Sequence, residues 1–512
     1  MSSVANADPS RPKLVVGIVV DQLRTDYIEY LQTYFSERGF RRLMKDGVYM
    51  QDVDFKVSSL DAPSATAMIY TGSYPSQTGV PSAMVYDHSS RKRQPALADS
   101  KTLGNFTNDA FSAESLRLST LSDEIAVDGA GFAAIYSFSP DPQQSIIMAG
   151  HAGTSACWIN NTSGNWATTT YYKSLPQPVS SRNYSYSVGS RIDTMQWKPS
   201  INIKEFPGLP NQKKMYPFRH TFSRSDKDVY NKFSTSPMVN AEITDVAIEC
   251  LKTLKPGASG NTIDMLNIGY TVAPFKFVND GDFRAELTDA YLRLDKQLQR
   301  LFDAIDKYVG AGNALIWVCS TGYYNDAVVD DKKYRIPTGE FSIKRAESLL
   351  NAYLSALHGN ADYIDAIKDN QIYFNHKLLE EKGLKISDVV ADARSFIAKM
   401  SGISDAYTLN DILSPSTPEL ERLRLSIDPK LGGDIYVLFH PGWTVIDDVE
   451  YPSVSHPVRE TPILSPAFIM GPGVTPKKIE RSVDATALAP TLAGVLRIRS
   501  PNGAVSKPLL VK

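Results

Sequence analysis

A segment near the start of the chain, residues 13–20 (KLVVGIVV), is almost entirely apolar and rich in β-branched side chains. Runs of this kind are typical of strands that are buried on both faces of a parallel sheet. The run ends at Asp21, where the strand should pass into a loop. Because α/β proteins place their chemistry at the carboxyl ends of parallel strands, the sequence predicts an α/β fold and makes Asp21 a candidate site residue.

The alternation of apolar strands and helical patterns continues along the chain, which is typical of helices flanking a mostly parallel central sheet. Buried strands are predicted at 132–137, 262–270, 314–320, 434–439 and 467–470, and helices near 115–127, 240–255, 284–308, 344–357 and 386–400. Segment 152–235 is rich in Ser, Thr, Asn, Tyr and Pro, and we interpret it as a cap insertion. Segment 325–430 is predicted to be a second insertion.

The composition restricts the classes of function. The 54 Lys and Arg residues against 56 Asp and Glu residues give a net charge of −2, so no nucleic-acid partner is expected. No apolar run approaches the roughly 20 residues of a membrane span, so no transmembrane segment is expected. Cys157, Cys250 and Cys319 are too few and too scattered for a disulfide framework or a zinc cluster, and we predict buried free thiols.

The first residues contain an A-x-A pattern, Ala5-Asn6-Ala7, of the kind that ends a secretory signal peptide. The charged and apolar regions that should precede such a pattern are not in the sequence, and the alternative is a disordered tail that contains two alanines. On the first interpretation, residues 1–7 are a signal-peptide remnant and the mature chain begins near Asp8. The protein would then be periplasmic, secreted or associated with the outer membrane.

Residues 62–75 (APSATAMIYTGSYP) predict a loop that enters a helix and ends in a Thr-Gly turn. This segment resembles the nucleophile segment of the alkaline phosphatase superfamily, which includes sulfatases and nucleotide pyrophosphatases. A helix N-terminus suits such a nucleophile because its dipole and its free N–H groups favour a phosphate anion. Further segments are similar to the phosphate-irrepressible branch of bacterial alkaline phosphatases: 19–27, 145–151, 157–158, 168–172, 291–295 and 433–438. The resemblance implies one alkaline-phosphatase-like α/β domain over 8–512.

The resemblance also assigns the family's catalytic positions to residues of this chain. The nucleophile position falls on Ala62, whose methyl group can neither attack phosphorus nor bind a metal. The family Asn that contacts the phosphoryl oxygen falls on Ala83, and the Lys and Arg that clamp the substrate fall on Asp141 and Gln143. The substrate-clamping cations have thus become an anion and a neutral amide.

Active members of the family hold two divalent metals, usually zinc, about 4 Å apart. Asp21 matches the carboxylate of the first ligand strand, and His456 is the candidate for the final ligand histidine. Each of these two would serve a different metal, whereas zinc sites use three or four protein ligands. The other ligand positions fall on residues without a carboxylate or an imidazole: Gly269, Ala273, Gly322 and Tyr323. We therefore expect no complete metal site and no cofactor.

A rebuilt site is the alternative to a lost one. Ser64 points about 200° away from position 62 around the helix, and Thr66, one turn in, is predicted to pack or to bond to a backbone carbonyl. Residues 279–282 (NDGD) resemble part of a calcium loop, although a turn before the following helix explains them as well. The nearby acidic residues are interpreted as solvated loop charges: Asp61, Asp326, Asp330 and Asp331.

Several aromatic and histidine side chains allow two interpretations each. The rings of Tyr323 and Tyr324 are expected to fill the volume that a metal would occupy, and His151 is expected to be a structural hydrogen-bonding group. The aromatic residues of the first insertion either pack the cap or stack on a sugar or a nucleobase: Trp158, Trp166, Tyr171, Tyr172, Tyr184 and Tyr186.

The sequence supports three hypotheses of function. The first is a pseudoenzyme of the bacterial envelope that binds a small anionic ligand or an envelope protein partner through the old cleft or the cap. The second is an active metal-dependent phosphoester hydrolase, a phosphomonoesterase or a phosphodiesterase, with a displaced site. The third is a purely structural subunit of an envelope assembly.

Overall fold

The structure is a computed structural model, and it describes residues 11–206, 209, 211–258, 262–278, 282–324, 335, 339–368, 370–440, 442–446, 456–457 and 463–511. The strands are β1 (Leu14–Asp21), β2 (Val48–Met50), β3 (Val53–Asp54), β4 (Ser59–Leu60), β5 (Met84–Asp87), β6 (Lys92–Pro95), β7 (Gly104–Asn105), β8 (Ile135–Ser139), β9 (Ser155–Ile159), β10 (Trp166–Thr169), β11 (Gln196–Trp197), β12 (His220–Thr221), β13 (Asp264–Thr271), β14 (Ala314–Ser320), β15 (Gly339–Ser342), β16 (Ile364–Lys368), β17 (Gln371–Phe374), β18 (Ile403–Thr408), β19 (Ile435–Phe439), β20 (Trp443–Ile446), β21 (His456–Pro457), β22 (Ala467–Met470), β23 (Lys477–Ile479) and β24 (Val483–Asp484).

The α-helices are α1 (Thr25–Tyr30), α2 (Phe40–Asp46), α3 (Ala62–Thr71), α4 (Pro75–Thr78), α5 (Leu121–Asp128), α6 (Pro142–Ala149), α7 (Gln177–Ser185), α8 (Val188–Arg191), α9 (Asn211–Met215), α10 (Val229–Ser234), α11 (Met238–Thr253), α12 (Arg284–Ile305), α13 (Ile343–His358), α14 (His376–Glu381), α15 (Ile386–Ile397), α16 (Leu409–Leu413), α17 (Pro418–Ser426) and α18 (Leu488–Leu496). Short 3₁₀ turns and one π turn, Asp306–Gly310, complete the helical structure.

A ten-stranded sheet forms the centre of the fold, in the order β23-β2-β22-β14-β1-β13-β8-β9-β10-β7. The five strands from β14 to β9 run parallel to one another, while β22, β10 and β7 are antiparallel to their neighbours. β1 pairs with both β13 and β14, and seven of its eight residues are buried. The mostly parallel sheet predicted from the sequence is thus confirmed.

Helices cover both faces of this sheet, because successive side chains of a strand point to opposite faces. Val16 and Ile18 of β1 pack in one hydrophobic cluster with residues of α11 and α12. Val15 and Val19 pack in a second cluster with residues of α3 and α18. The α/β layering places the start of α3 beside the carboxyl end of β1.

The strand predicted at 434–439 forms, but it does not lie in the central sheet. β19 belongs to a four-stranded antiparallel sheet, β16-β17-β19-β18, which packs with α13 and α15 around its own hydrophobic cluster. An apolar run indicates burial and does not specify which sheet buries it. The insertion boundaries at 152–235 and 325–430 stay predictions. Two strands of the first segment, β9 and β10, belong to the central sheet, and β19 of the second sheet lies beyond residue 430.

The three cysteines are buried and unpaired, as predicted. In the part of the chain that the structure describes, no helix is both long enough and apolar enough to cross a membrane.

Gly17 of β1 is the position where a small change should cost most stability. A Cβ atom there would lie 2.7 Å from Tyr70 Oη and 2.9 Å from Asn267 Oδ1, two buried atoms that hydrogen-bond to each other. We expect Gly17→Ala to lower the free energy of unfolding by about 1–3 kcal/mol, because the added methyl group must displace one of them. Urea denaturation measures the change.

The matched control is Gly494→Ala in α18, where an added Cβ meets only the Pro508 Cβ, at 3.9 Å. This substitution should leave the unfolding free energy unchanged or raise it by up to about 1 kcal/mol, since alanine favours a helix more than glycine does. Equal unfolding midpoints for Gly17→Ala and the natural chain would contradict the packing described here.

Candidate functional site

The carboxyl end of the central sheet brings four segments of the chain together. Asp21 ends β1, Tyr323 follows β14, Asp141 follows β8, and Asp61 directly precedes α3. The Asp21 carboxylate accepts a hydrogen bond from Tyr323 and interacts electrostatically with Asp61 and Asp141. We call the space bounded by these segments the cleft.

Asp21 is held by two hydroxyl groups. Its Oδ1 accepts hydrogen bonds from Tyr323 Oη at 2.6 Å and from Thr321 Oγ1 at 3.0 Å. Burial raises the pKa of Asp21 above its ordinary value, and these hydroxyl donors offset part of the increase. One oxygen of this carboxylate is therefore already occupied by donors from the loop after β14.

Gly269 and Gly322, to which the family resemblance assigns metal ligands, have no room for a side chain. A Cβ at Gly322 would lie 2.2 Å from the ring of Phe55, and Gly322 itself has a φ of +77°. A Cβ at Gly269 would lie 2.4 Å from Gln144 Oε1 and 2.5 Å from Ser139 Oγ. Neighbouring side chains thus occupy the volume that a ligand at either position would need.

The first turn of α3 holds a carboxylate of its own chain. Asp61 Oδ1 accepts hydrogen bonds from the Ser64 N–H at 3.0 Å and from Ser64 Oγ at 2.8 Å, and Asp61 Oδ2 accepts one from the Ala83 N–H at 2.6 Å. Pro63, the second residue of the helix, has no N–H group. Asp61 therefore takes up the Ser64 N–H, a backbone donor that this helix N-terminus would otherwise offer to an anion next to Ala62.

Asp141 and Gln143, to which the family resemblance assigns the substrate clamp, bond to the backbone. Gln143 Nε2 donates to the Ala83 carbonyl at 2.9 Å, and Gln143 Oε1 accepts from the Leu97 N–H at 3.1 Å. Asp141 caps α6, since its Oδ1 accepts from the Gln144 N–H at 2.7 Å. Loss of hydration, together with repulsion from the carboxylates of Asp61 and Asp21, raises the pKa of Asp141 to about 6.

Two serine and threonine candidates on α3 are buried. Ser64 has an exposed fraction of 0% and donates to the Asp61 carboxylate. Thr66 Oγ1 donates to the Ala62 carbonyl at 2.6 Å, which confirms the predicted bond to the backbone. The interpretation of Asp61 as a solvated loop charge is wrong: the residue is 5% exposed and caps the helix. The other three loop acids, Asp326, Asp330 and Asp331, lie outside the described residues.

His456 is brought to the cleft by backbone pairing. β21 pairs antiparallel with β4, and His456 lies opposite Leu60, two residues before Ala62. Ala273, at another ligand position, is half-buried after β13, and its N–H donates to Thr271 Oγ1. Residues 279–281 of the candidate calcium loop lie outside the described residues, and the Asp282 carboxylate is paired with Arg284.

The remaining candidates are structural in the described residues. His151 bonds to Asp123 Oδ2 at 2.9 Å and to the Leu116 carbonyl at 2.8 Å, as predicted for a structural hydrogen-bonding group. Tyr324 Oη donates to the Leu464 carbonyl. Among the aromatic residues of the first insertion, Trp158, Trp166 and Tyr172 are buried, whereas Tyr184 and Tyr186 are exposed.

Three residues of the cleft were not identified from the sequence. Phe55 and Gln144 occupy the volumes beside Gly322 and Gly269. Lys368, from β16, places a charge near Asp61 and bonds to Ser82. The segment Asp61-Ala62-Pro63-Ser64 has the spacing of a helix cap, which is a local sequence signal. The contacts of Phe55, Gln144 and Lys368 have no such signal, because they join residues that lie far apart in the chain.

Comparisons with known proteins agree with this arrangement of elements. A family model described as type I phosphodiesterase / nucleotide pyrophosphatase matches residues 15–462. Alkaline phosphatase PafA of Elizabethkingia meningoseptica is 28% identical over 98% of this chain and 95% of its own length. Alkaline phosphatase PhoV of Synechococcus elongatus is 24% identical over 97% of this chain and 92% of its own.

The crystal structure of wild-type PafA is similar with a TM-score of 0.84 at 26% identity, covering 98% of both chains. A PafA variant with four substitutions is similar with a TM-score of 0.81, also at 26% identity and 98% coverage of both chains.

These relatives overturn the expectation that no cofactor is involved. They are alkaline phosphatases, which are metal-dependent, and they match nearly the whole chain, so the expectation of no cofactor is wrong for a protein of this ancestry.

The described residues, however, do not fit a two-metal centre. Asp21 is engaged by two hydroxyls, Gly269 and Gly322 are blocked, and no group of three or more His, Cys, Asp or Glu among the described residues could hold a metal ion.

The raised pKa of Asp141 predicts a pH-dependent stability. The pKa of Asp141 is about 6 in the folded chain and near 3.8 in the unfolded chain, so the folded chain holds this proton more tightly. The contribution of Asp141 to the free energy of unfolding is therefore fully present below pH 4 and is lost as the pH rises to 6. Asp141→Asn keeps the helix cap, because asparagine caps as well as aspartate does. We expect this variant to be more stable than the natural chain at pH 7.5 by roughly 1–3 kcal/mol, and the difference to vanish near pH 4.

Urea denaturation between pH 4 and pH 8 measures this difference, and Asp87→Asn is the control of opposite sign. Hydrogen bonds from Ser90 and Ser89 lower the pKa of Asp87 to about 2, so its contribution is present above pH 4 and is lost as the pH falls toward 2. Asp87→Asn should therefore weaken the fold at neutral pH. Stability curves of Asp141→Asn and the natural chain that run parallel over this range would contradict the prediction.

Proposed function

Since this chain belongs to the type I phosphodiesterase / nucleotide pyrophosphatase family, within the alkaline phosphatase superfamily, we propose that it is a pseudoenzyme of that family. In this proposal the cleft serves binding or assembly and does not form the covalent phosphoryl intermediate of an active phosphatase. The observation that carries the proposal is Ala62 at the first position of α3, because a methyl group has no lone pair with which to attack phosphorus.

The spacing of substituted positions in the PafA variant supports the assignment of Ala62. That variant is altered at a threonine, an asparagine, a lysine and an arginine, of which the first two lie 21 residues apart and the last two lie 2 apart. In this chain Ala62 and Ala83 are also 21 residues apart, and Asp141 and Gln143 are 2 apart. The same four positions would therefore have lost a hydroxyl, an amide and two cations.

The charge of the cleft supports the proposal as well. The Asp61 carboxylate raises the pKa of Asp21, both carboxylates raise the pKa of Asp141, and the residue at the clamp position, Asp141, is itself acidic. A phosphate ester carries negative charge, and like charges in a partly dehydrated site repel strongly. The small anionic ligand considered from the sequence is thus disfavoured within the cleft.

A phosphoester hydrolase with a displaced site is the second candidate, and the relatives favour it because they are named alkaline phosphatases. The observation on which it would depend is the pair of Ser64 and Asp61, in which a hydroxyl lies 2.8 Å from a carboxylate oxygen. A serine beside a general base is the arrangement of an activated nucleophile. Ser64 is completely buried, however, and a substrate would reach it only after the helix cap opened.

Turnover of p-nitrophenyl phosphate, measured together with the metal content of the purified protein, separates the two candidates. We expect the natural chain to show no turnover above a mock purification, with or without added zinc. We expect the same of Ala62→Thr, because restoring one hydroxyl leaves the blocked positions Gly269 and Gly322 unchanged.

Two results would favour the hydrolase. Turnover that co-purifies with the chain and is lost in Ser64→Ala would identify a displaced nucleophile. Zinc bound at two ions per chain, with turnover that resists removal of contaminants, would contradict the pseudoenzyme directly. Thr66→Ala is the matched control for Ser64→Ala, since Thr66 is a second buried hydroxyl on α3 that bonds to the backbone.

The cellular context belongs to the same proposal. The A-x-A pattern at residues 5–7 supports export to the periplasm or beyond, and an envelope protein is the partner that this location would offer. Residues 1–10 lie outside the described part of the chain. We further propose that segments 152–235 and 325–430 are insertions in a single family domain over 8–512, and that the exposed rings of Tyr184 and Tyr186 in the first insertion are available for contact with a partner.

A further inference from the structure

A histidine outside the cleft is hydrogen-bonded through both of its ring nitrogens. His151 follows α6, and its side chain is 37% exposed. Its Nδ1 lies 2.9 Å from Asp123 Oδ2, and its Nε2 lies 2.8 Å from the Leu116 carbonyl oxygen. His220 and His358 differ, since in the described residues each bonds to one carboxylate through Nε2, which a neutral ring can do. Whether the ring of His151 carries one hydrogen or two depends on what its two partners can donate.

Neither partner of the His151 ring can donate a hydrogen bond. A backbone carbonyl only accepts. Asp123 Oδ2 also accepts from the Thr120 N–H at 2.8 Å and from Thr120 Oγ1 at 3.0 Å, and Asp123 Oδ1 accepts from the Ala152 N–H at 2.9 Å. Burial alone would raise the pKa of Asp123, but the hydrogen bonds from His151 and from the backbone outweigh it and lower the pKa. Asp123 is therefore an ionised acceptor, and both nitrogens of His151 must carry a hydrogen, which makes the ring an imidazolium.

The groups that face His151 favour the charged ring. The hydrogen bond to Asp123 raises the pKa of His151 above its ordinary value against the effect of partial burial, and the charge of Glu114 raises it further. Tyr171 contacts the backbone of the histidine, where its Oη donates to the His151 carbonyl at 3.4 Å. Burial raises the pKa of this phenol, so it stays neutral. The imidazolium thus has two carboxylates and one neutral hydroxyl group near it.

His151 connects the turn after α6 to residues 111–117, which lie outside the helices and strands named above. Three backbone N–H groups of this segment donate to carbonyl groups: Ser112 to Leu97, Leu116 to Ala113 and Arg117 to Thr78. The Arg117 guanidinium is paired with the buried carboxylate of Asp428, which precedes β19. Residues 111–117 therefore join the turn after α6 to the part of the chain that carries the four-stranded antiparallel sheet.

Loss of one ring proton would break one of the two bonds of His151. A neutral imidazole has a single N–H, and a hydrogen bond to a carboxylate is stronger than one to a backbone carbonyl. The remaining hydrogen would therefore stay on Nδ1, toward Asp123, and the Nε2 lone pair would face the Leu116 carbonyl oxygen. Two lone pairs at the present separation of 2.8 Å repel each other, so Leu116 would move away from the ring.

We propose that His151 is a pH-sensitive latch: as an imidazolium it holds residues 111–117 against α5 and the turn after α6, and at alkaline pH it releases them. The pKa of His151 is higher in the folded chain than its ordinary value of 6.5, so the latch contributes its full stability below pH 6.5. That stability is lost as the pH rises through the folded value. The latch is independent of whether the cleft performs catalysis, because Asp21, Ala62 and Tyr323 take no part in it.

Amide hydrogen exchange of the full chain, followed by mass spectrometry, tests the latch. The measured quantity is the protection factor of peptides that cover residues 111–117, with intrinsic exchange rates corrected for pH. We expect this protection to fall by about three- to tenfold between pH 6.5 and pH 9 in the natural chain, because one hydrogen bond is lost. Peptides from β13 should keep their protection, since that strand is buried in the central sheet.

His151→Gln is the variant that removes the titrating group. The amide of glutamine donates at any pH, so residues 111–117 should have the same protection at pH 6.5 and at pH 9, and less than the natural chain has at pH 6.5. His358→Gln is the matched control, because it removes another histidine that bonds to a carboxylate, that of Asp392, in a pair formed by α13 and α15. In this control the pH dependence of residues 111–117 should equal that of the natural chain.

The natural chain alone can overturn the proposal, so the test stands even if His151→Gln fails to fold. Equal protection of residues 111–117 at the two pH values would contradict the latch, and so would an equal loss of protection in β13, because the change would then be global. A pH dependence that persists in folded His151→Gln would assign the effect to another group and overturn the proposal as well. Failure of this experiment would not affect the hydrolysis test, which uses different residues and a different readout.

Discussion

The hydrogen bonds of the Asp61 carboxylate hold the cleft in its present form. This group binds the first turn of α3 through Ser64 and the loop that contains Ala83 through its backbone N–H. The N-terminus of a helix attracts an anion because its N–H groups are unpaired and its dipole is positive there. In this chain the anion belongs to the chain itself. The geometry of the helix mouth is therefore maintained without any phosphate ligand, and an incoming phosphate would have to compete with a covalently attached carboxylate.

Close packing is also visible at Gly322 and Gly269, the positions to which the family resemblance assigns metal ligands. Protein interiors are packed as densely as organic crystals, so a lost side chain must be replaced by neighbours or leave a costly cavity. Phe55 lies where a side chain at Gly322 would project, and Gln144 with Ser139 lies where one at Gly269 would project. Tyr323 supplies a hydroxyl to Asp21 from a position that the family resemblance assigns to a ligand. A side chain introduced at Gly322 or at Gly269 would therefore meet an occupied space.

The sequence predicted those parts of the structure that depend on local pattern. β14 and β22 were predicted with the bounds observed, and α3 ends at the predicted Thr-Gly turn, because continuous apolar runs and helix ends are encoded in neighbouring residues. The position of β19 could not be predicted, since its partners β17 and β18 are chosen by packing in the second insertion. The spacing of Asp61 and Ser64 is typical of a helix cap, so the burial of Asp61 could have been predicted from the sequence. The place of Lys368 beside the cleft could not, because its hydrogen-bond partner Ser82 lies 286 residues away in the chain.

The distribution of buried charge connects the cleft to the small antiparallel sheet. The cleft combines the carboxylates of Asp21, Asp61 and Asp141, and burial together with the other two carboxylates raises the pKa of Asp141 to about 6. Lys368, the last residue of β16, donates from Nζ to Ser82 Oγ, and its charge opposes the effect of burial on the pKa of Asp61. A residue of the small sheet therefore compensates part of the negative charge that the ends of β1 and β8 and the start of α3 bring together. Because buried charges are stable only beside groups that compensate them, this contact ties the form of the cleft to the packing of a second sheet.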